Sequence, residues 1–171
     1  MSSSDRAGLW GYNIGDTVQF TSKNPYRIIV SGRIKHFISA FGEHVIGKEV
    51  DEAMLEVAGT EGVRIVEFHV APQVVPLEGG LPYHEWFVEF DNMPSNMADF
   101  AAKLDKTMVG NNIYYKDLII GNILRPLVIR PLVRDAFRDF MKSEGKLGGQ
   151  NKVPRLGNDR ILADALGKYK I

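Results

Sequence analysis

An α+β domain, with helices packed on a largely antiparallel sheet, is the architecture this sequence predicts. Three observations carry that expectation. Four short stretches have the β-branched and aromatic make-up or two-residue alternation of strands, and four longer ones repeat apolar residues at helical spacing. Their order along the chain is ββ, α, β, β, α and then two late helices, a mixture that favours helices segregated onto an antiparallel sheet. The size agrees: 171 residues with 21 basic and 21 acidic side chains form one ordinary domain. A chain of that length buries about 70% of its unfolded surface, so it needs neither metal nor disulfide to hold a core.

The first two strands form a hairpin: Thr17 to Thr21 alternates, Lys23-Asn24-Pro25 turns, and Tyr26 to Val30 returns. Gly32-Arg33-Ile34-Lys35 follows directly. Val45 to Ala58 places Ile46, Val50, Met54 and Val57 on one helical face and leaves Lys48, Glu49, Asp51, Glu52 and Glu56 for water. Gly59 and Gly62 should end it. Val63 to Val70 and His84 to Phe90 read as two half-buried strands, the second with Trp86, Val88 and Phe90 on one face, joined by the Pro/Gly-rich loop Pro72 to Pro82. A second helix should start at Ser95 as N-cap, present Met97, Phe100, Ala101, Leu104 and Met108, and stop at Asn111-Asn112. A third should run from about Pro131 to Lys142, and Asn158-Asp159 should cap a short last helix carrying Ile161, Leu162, Ala165 and Leu166.

Composition excludes several functions. The absence of cysteine removes thiolate nucleophiles, thiolate metal sites and disulfides, and it fits a reducing, cytoplasmic setting. Zero net charge and no basic stripe with interleaved aromatics argue against nucleic acid as a partner. The most apolar neighbourhood, Leu118 to Val133, is interrupted by Asn122, Arg125, Pro126, Arg130 and Pro131, so no membrane span is expected. His69 and His84 lie on candidate strands with no third ligand at metal spacing, so no metal site is expected either. One asymmetry survives the balance: Lys142 to Ile171 carries seven basic residues against three acids. That tail is either a solvated surface or a face for phosphate.

The residues that carry chemistry lie at both ends of the chain. Tyr12-Asn13-Ile14-Gly15-Asp16 puts a carboxylate at the mouth of the hairpin, where its two acceptor oxygens match the vicinal hydroxyls of a ribose; a plain turn is the alternative. Arg33 and Lys35 read as solvated cations or as groups facing a ligand. Lys152, in Gly148-Gly149-Gln150-Asn151-Lys152-Val153-Pro154-Arg155, is either a surface lysine in a Gly-rich loop or a group brought to an anion.

Tyr-x-x-Gly-Asp, a hairpin and Gly-Arg-x-Lys-x-x-Ile-x-x-x-Gly resemble the junction between large and small domains of the acyl-adenylate-forming superfamily. Phe20 to Arg27 and Gly148 to Arg155 narrow the resemblance to the auxin-responsive Gretchen Hagen family of acyl-acid amido synthetases, in its bacterial branch. It covers nearly the whole chain but only the family's C-terminal portion. It implies residues 1–34 as the end of a large-domain segment and 35–171 as a mobile C-terminal α+β domain. It implies ATP and Mg²⁺, a carboxylic acid and an amino acid as substrates, and a missing large N-terminal domain that holds the phosphate-gripping loop and most of the acyl pocket. Residue by residue, it makes Lys152 the catalytic lysine brought over the phosphates, Asp16 the ribose-binding carboxylate, Arg33 the cofactor-binding arginine near the ribose and the domain linker, and Lys35 the hinge. Superfamily hinges carry Asp or Lys, so Lys35 conforms. Ser39, Val45 to Glu49 and Glu43-His44-Val45 depart from the relatives' pattern, and His44 is carried as a candidate phosphate-side contact beside a structural reading. The expected function is therefore part of an amide-forming ligase, inactive without its large domain, and the alternative is a non-catalytic binding module derived from that domain.

Overall fold

The computed structural model describes residues 2–3, 12–13, 16–33, 37–146 and 152–171, and the side chains of 18–30, 38–146 and 152–171 among them. The chain opens with two short paired strands, β1 (Ser2–Ser3) and β2 (Tyr12–Asn13). The expected hairpin follows as β3 (Asp16–Lys23) and β4 (Tyr26–Arg33), with bulges near Thr17 and Phe20. A second small pair, β5 (Phe37–Ile38) and β6 (Val45–Ile46), leads into helix α1 (Gly47–Glu61). Glu49 in the first turn of α1 accepts the Ile46 N–H at 3.0 Å, which satisfies one donor the helix leaves open. Gly62, not Gly59, ends the helix, because the terminating residue takes a left-handed φ of 65° that glycine adopts without strain.

The core is a three-stranded sheet of β7 (Arg64–Gln73), β8 (Tyr83–Asn92) and β9 (Val128–Leu132), with β8 in the middle, antiparallel to β7 and parallel to β9. Even-numbered residues of β7 and β8 face α1, α2 (Met97–Asn111) and α3 (Ile113–Ile120): Phe68, Val70, Trp86, Val88 and Phe90 meet Met54, Phe100, Leu104, Met108 and Tyr115. Odd-numbered residues face α4 (Ala136–Ser143) and α5 (Ile161–Leu166): Ala71 and Phe87 meet Phe137, Phe140 and Leu166. Both sheet edges are closed. The tail adds to β9, with the Val133 N–H on the Tyr169 carbonyl and the Ile171 N–H on that of Pro131. At the β7 edge, the Val70 N–H donates to the Arg155 carbonyl, and the Val70 carbonyl accepts from Gly157, both at 2.9 Å.

The α+β expectation and the α1, α2, β7 and β8 assignments hold. Four details are corrected. Asn96, not Ser95, caps α2, its side chain accepting the Asp99 N–H at 3.1 Å. Asn112 does more than stop α2, since its side chain accepts the Tyr115 N–H and so starts α3. The segment read as a helix from Pro131 opens instead as β9, because the β-branched run Val128-Ile129 pairs with β8, and α4 begins only at Ala136. The strands read as half-buried are buried on both faces through the middle of β8, because α4, α5 and the tail form a second layer.

That second layer covers two carboxylates of β8. Glu89 accepts the Asp135 and Phe137 N–H groups at 2.7 and 3.2 Å and so caps α4. Glu85 receives Arg130 on one oxygen and Arg160 on the other, both at 2.7 Å, with Lys170 at 3.6 Å. Burial alone would raise its carboxyl pKa, but the hydrogen bonds from Arg130 and Arg160 outweigh it and hold the group below its ordinary value.

Candidate functional site

Lys152 is exposed, and no ion pair to a described residue engages its ammonium. The segment that carries it is pinned immediately afterwards. Pro154 offers its carbonyl to His69 Nδ1 at 2.7 Å. The Arg155 guanidinium reaches Asp51 of α1 at 2.8 Å and Glu67 of β7, and lies 4.4 Å over the ring of Phe68. Leu156 is buried between the two backbone bonds that join the segment to Val70. Asn158 then accepts the Ser39 N–H at 3.0 Å, which ties the segment to the turn between β5 and β6. Lys152 is therefore a cation that no described residue engages, followed directly by a segment bonded to β7, α1 and the β5–β6 turn.

His69 is the buried post of that segment. A carbonyl can only accept, so Nδ1 carries the proton, and the buried Nε2 is left without a hydrogen-bond partner among the described residues. The ring fits because residue 157 is glycine: a Cβ there would sit 3.1 Å from His69 Cε1. Burial pushes the His69 pKa below its ordinary 6.5, against an upward pull from the Pro154 carbonyl and Asp159. The unfolded chain therefore takes up the proton first as pH falls, and the stability is present above pH 6.5 and lost as pH descends toward the folded-state value. His69→Asn should remove the part of the acid slope that lies just below pH 6.5. Urea midpoints of both proteins at pH 7 and pH 5.5 measure it, and an unchanged difference between the two pH values would contradict the assignment.

The other candidate residues lie at the opposite end of the sequence. Asp16 and Arg33 are ladder partners at the open end of the hairpin, so the register brings them opposite each other; their side chains lie outside the described residues. Lys35 and Gly148 to Asn151 lie outside the described residues altogether. His44 is exposed, with a left-handed φ of 46° and its ring edge-on to Tyr114 at 6.0 Å. Its neighbour Glu43 is the anchor of that turn: fully buried, it accepts from His84 Nε2 at 2.9 Å and from the Phe41 N–H at 2.8 Å. Burial would raise the Glu43 pKa, but the His84 hydrogen bond and charge outweigh it and keep it low. Thus the turn carrying His44 is joined to the Lys152 segment through the Ser39 N–H and the Asn158 side chain.

The basic tail is less solvated than its composition suggests. Arg155, Arg160 and Lys170 are turned inward onto Asp51, Glu67 and Glu85. Sequence reasoning missed His69, Arg155 and Glu43 as working groups; the only local signal was a histidine on a strand and an acid beside a glycine turn. Among the described residues, no three His, Asp or Glu side chains are grouped to hold a metal. Nor is any described helix long and apolar enough to cross a membrane.

Residues 48–161 match the model of the GH3 family C-terminal domain. A comparison with curated proteins finds no match. Among solved structures, the chain is similar in fold to a GH3.15 acyl acid amido synthetase, with a TM-score of 0.73 at 18% identity over 98% of this chain and 33% of that one. It is also similar to AtGH3.15 acyl acid amido synthetase in complex with 2,4-DB, with a TM-score of 0.72 at 18% identity over 98% of this chain and 32% of that one. The chain spans about a third of the length of these structures.

Proposed function

This chain belongs to the GH3 family through its C-terminal domain, and on that premise we propose that it is the C-terminal portion of an ATP-dependent acyl-acid amido synthetase. In such a reaction a carboxylate oxygen attacks the α-phosphorus of ATP, the bond to the bridging oxygen breaks, and pyrophosphate leaves. An amine nitrogen then attacks the acyl carbon, AMP departs with the bonding pair, and the nitrogen gives up a proton. The first step gathers negative charge on the α-phosphate oxygens, so a cation placed there lowers its barrier.

The observation that carries the proposal is Lys152: an exposed ammonium with no competing carboxylate among the described residues, on a segment fixed to the β7 edge. Tethered at that point, it fits a phosphate that arrives with another domain, and a flexible ammonium suits a contact made and broken each cycle. Asp16, set opposite Arg33, is proposed for the ribose hydroxyls, Lys35 for the hinge and His44 for the phosphate side. Mg²⁺, which the family resemblance implies, finds no ligand set among the described residues, and no step is assigned to it here. The carboxylic acid and amino acid substrates, and a bacterial and cytoplasmic setting, belong to the same reading.

The division at residues 34 and 35 has its own support. Phe20, Tyr26, Ile28, Ile29 and Val30 are all exposed, on both faces of a two-stranded hairpin that is marginal by itself. Apolar side chains on both faces suit an element covered by a large N-terminal domain. Ile29→Asp should therefore leave the thermal midpoint of this chain unaltered and weaken its association with such a domain about tenfold, the worth of one buried aliphatic side chain. Calorimetric titration against an isolated large domain measures this, and equal affinities would refute the boundary.

The function itself is tested by pyrophosphate release from ATP with varied carboxylates. The chain alone should release none, and the chain mixed with a large adenylation domain of the family should release it at a rate that depends on the acid. No stimulation in any mixture would favour a non-catalytic binding module instead.

A further inference from the structure

The geometry points to Arg155 as a positioning residue that sets where the Lys152 ammonium can reach, an inference that rests on the phosphate role of Lys152 proposed above. Four contacts, to three residues, converge on one guanidinium. Its Nε meets Asp51 on α1 at 2.8 Å, a terminal nitrogen meets Glu67 on β7 and donates to the Phe68 carbonyl at 3.3 Å, and the plane covers the Phe68 ring. Helix and sheet edge are thereby bolted to the segment three residues beyond Lys152. The backbone of the same residue is engaged too, its carbonyl accepting from Val70.

A surface ion pair contributes little to stability on its own, and the side chains of Arg155 and Asp51 are 35% and 43% exposed. Stability is therefore a poor account of why a planar fork is divided between two acids on two elements. Direction is a better one: a planar, delocalised fork held on two sides and stacked on a ring fixes the path of the chain leaving it, which a single-point lysine contact cannot do. A phosphate contact depends steeply on placement, since a shift of about 1 Å can cost on the order of a hundredfold in rate. The arginine never approaches the phosphate in this scheme and acts only through the lysine.

That indirect action has a signature. In the chain paired with its large domain, Arg155→Gln should lower kcat for pyrophosphate release about tenfold with little change in KM for ATP. The same substitution placed on Lys152→Ala should cost nothing further, because the group it positions is gone. Asp51→Asn, a milder change at a half-exposed carboxylate, should reproduce the effect in smaller measure and guards against a variant that fails to fold. An Arg155→Gln loss of equal size with and without Lys152 would overturn the inference and leave a structural role, as would no loss at all. If Lys152→Ala is itself without effect, the reading on which the inference rests fails first, and the two failures are told apart.

Discussion

Lys152→Ala is expected to slow pyrophosphate release by about a hundredfold to a thousandfold in the assembled enzyme, the usual cost of removing one preorganised group from developing charge. The same variant should leave the thermal midpoint of the isolated chain where it was. The two expectations follow from one fact: the ammonium is exposed and unengaged by any described carboxylate, so it contributes nothing to the fold that its loss could remove. Lys152→Arg should recover part of the rate, because the charge is kept while the compact point contact is exchanged for a bulkier fork. A stopped assay of pyrophosphate at saturating ATP, beside a melting curve, separates the two quantities. A variant that loses rate and midpoint together would show that the lysine is part of the scaffold.

The largest effect on stability is expected at Glu85. Its carboxylate is 2% exposed and faces Arg130, Arg160 and Lys170, so Glu85→Gln leaves three cations around a neutral group. Removing one member of a buried charge set typically costs about 3–5 kcal/mol, and the partial exposure of the three cations places the expectation near the lower figure, about 3 kcal/mol. The pH dependence has a definite sign. Because the folded carboxyl is held below its ordinary 4.5, its contribution is fully present at neutral pH and is lost as pH falls through the folded-state value. Urea denaturation at pH 7 and pH 4 should show the difference between the two proteins beginning to shrink at the lower pH, just below the unfolded value. A difference at pH 7 under about 0.5 kcal/mol, the scale of an ordinary surface change, would mean that the three cations are satisfied by water.

Why β9 was not legible in the sequence is instructive. Val128-Ile129-Arg130-Pro131-Leu132 is short and contains a proline that can open a helix, so local propensity is ambiguous. The decision is taken by partners far away, the parallel register with Glu85 to Glu89 and the tail bonds to Pro131 and Val133. Helices α1 and α2 needed no such help: their apolar residues recur at helical spacing, and the same positions, Val50, Met54 and Val57 or Phe100, Leu104 and Met108, form the core. Glu85 and Glu89 read as solvent-facing because alternation reveals one covered face and is silent about a second layer built from residues 136–166.

The site divides in the same way. Lys152 stood out through its Gly-rich surroundings and its resemblance to a family segment. The groups that fix its segment did not, since His69 meets Pro154 across 85 positions and Arg155 meets Asp51 across 104. No spacing rule spans such gaps. Asp16 and Arg33 were legible one by one through the motif, and their pairing came only with the hairpin register.

On the proposed reading Lys152 faces the α-phosphate, so its loss should weigh on the step that releases pyrophosphate more than on the step that forms the amide. Both halves can be measured on one preparation of the chain with its large domain: pyrophosphate release from ATP and the acid, and amide formation from acyl-adenylate supplied directly with the amine. Lys152→Ala should lose about a hundredfold or more in the first rate and less than about threefold in the second. Equal losses in both, or no loss in the first, would contradict that reading.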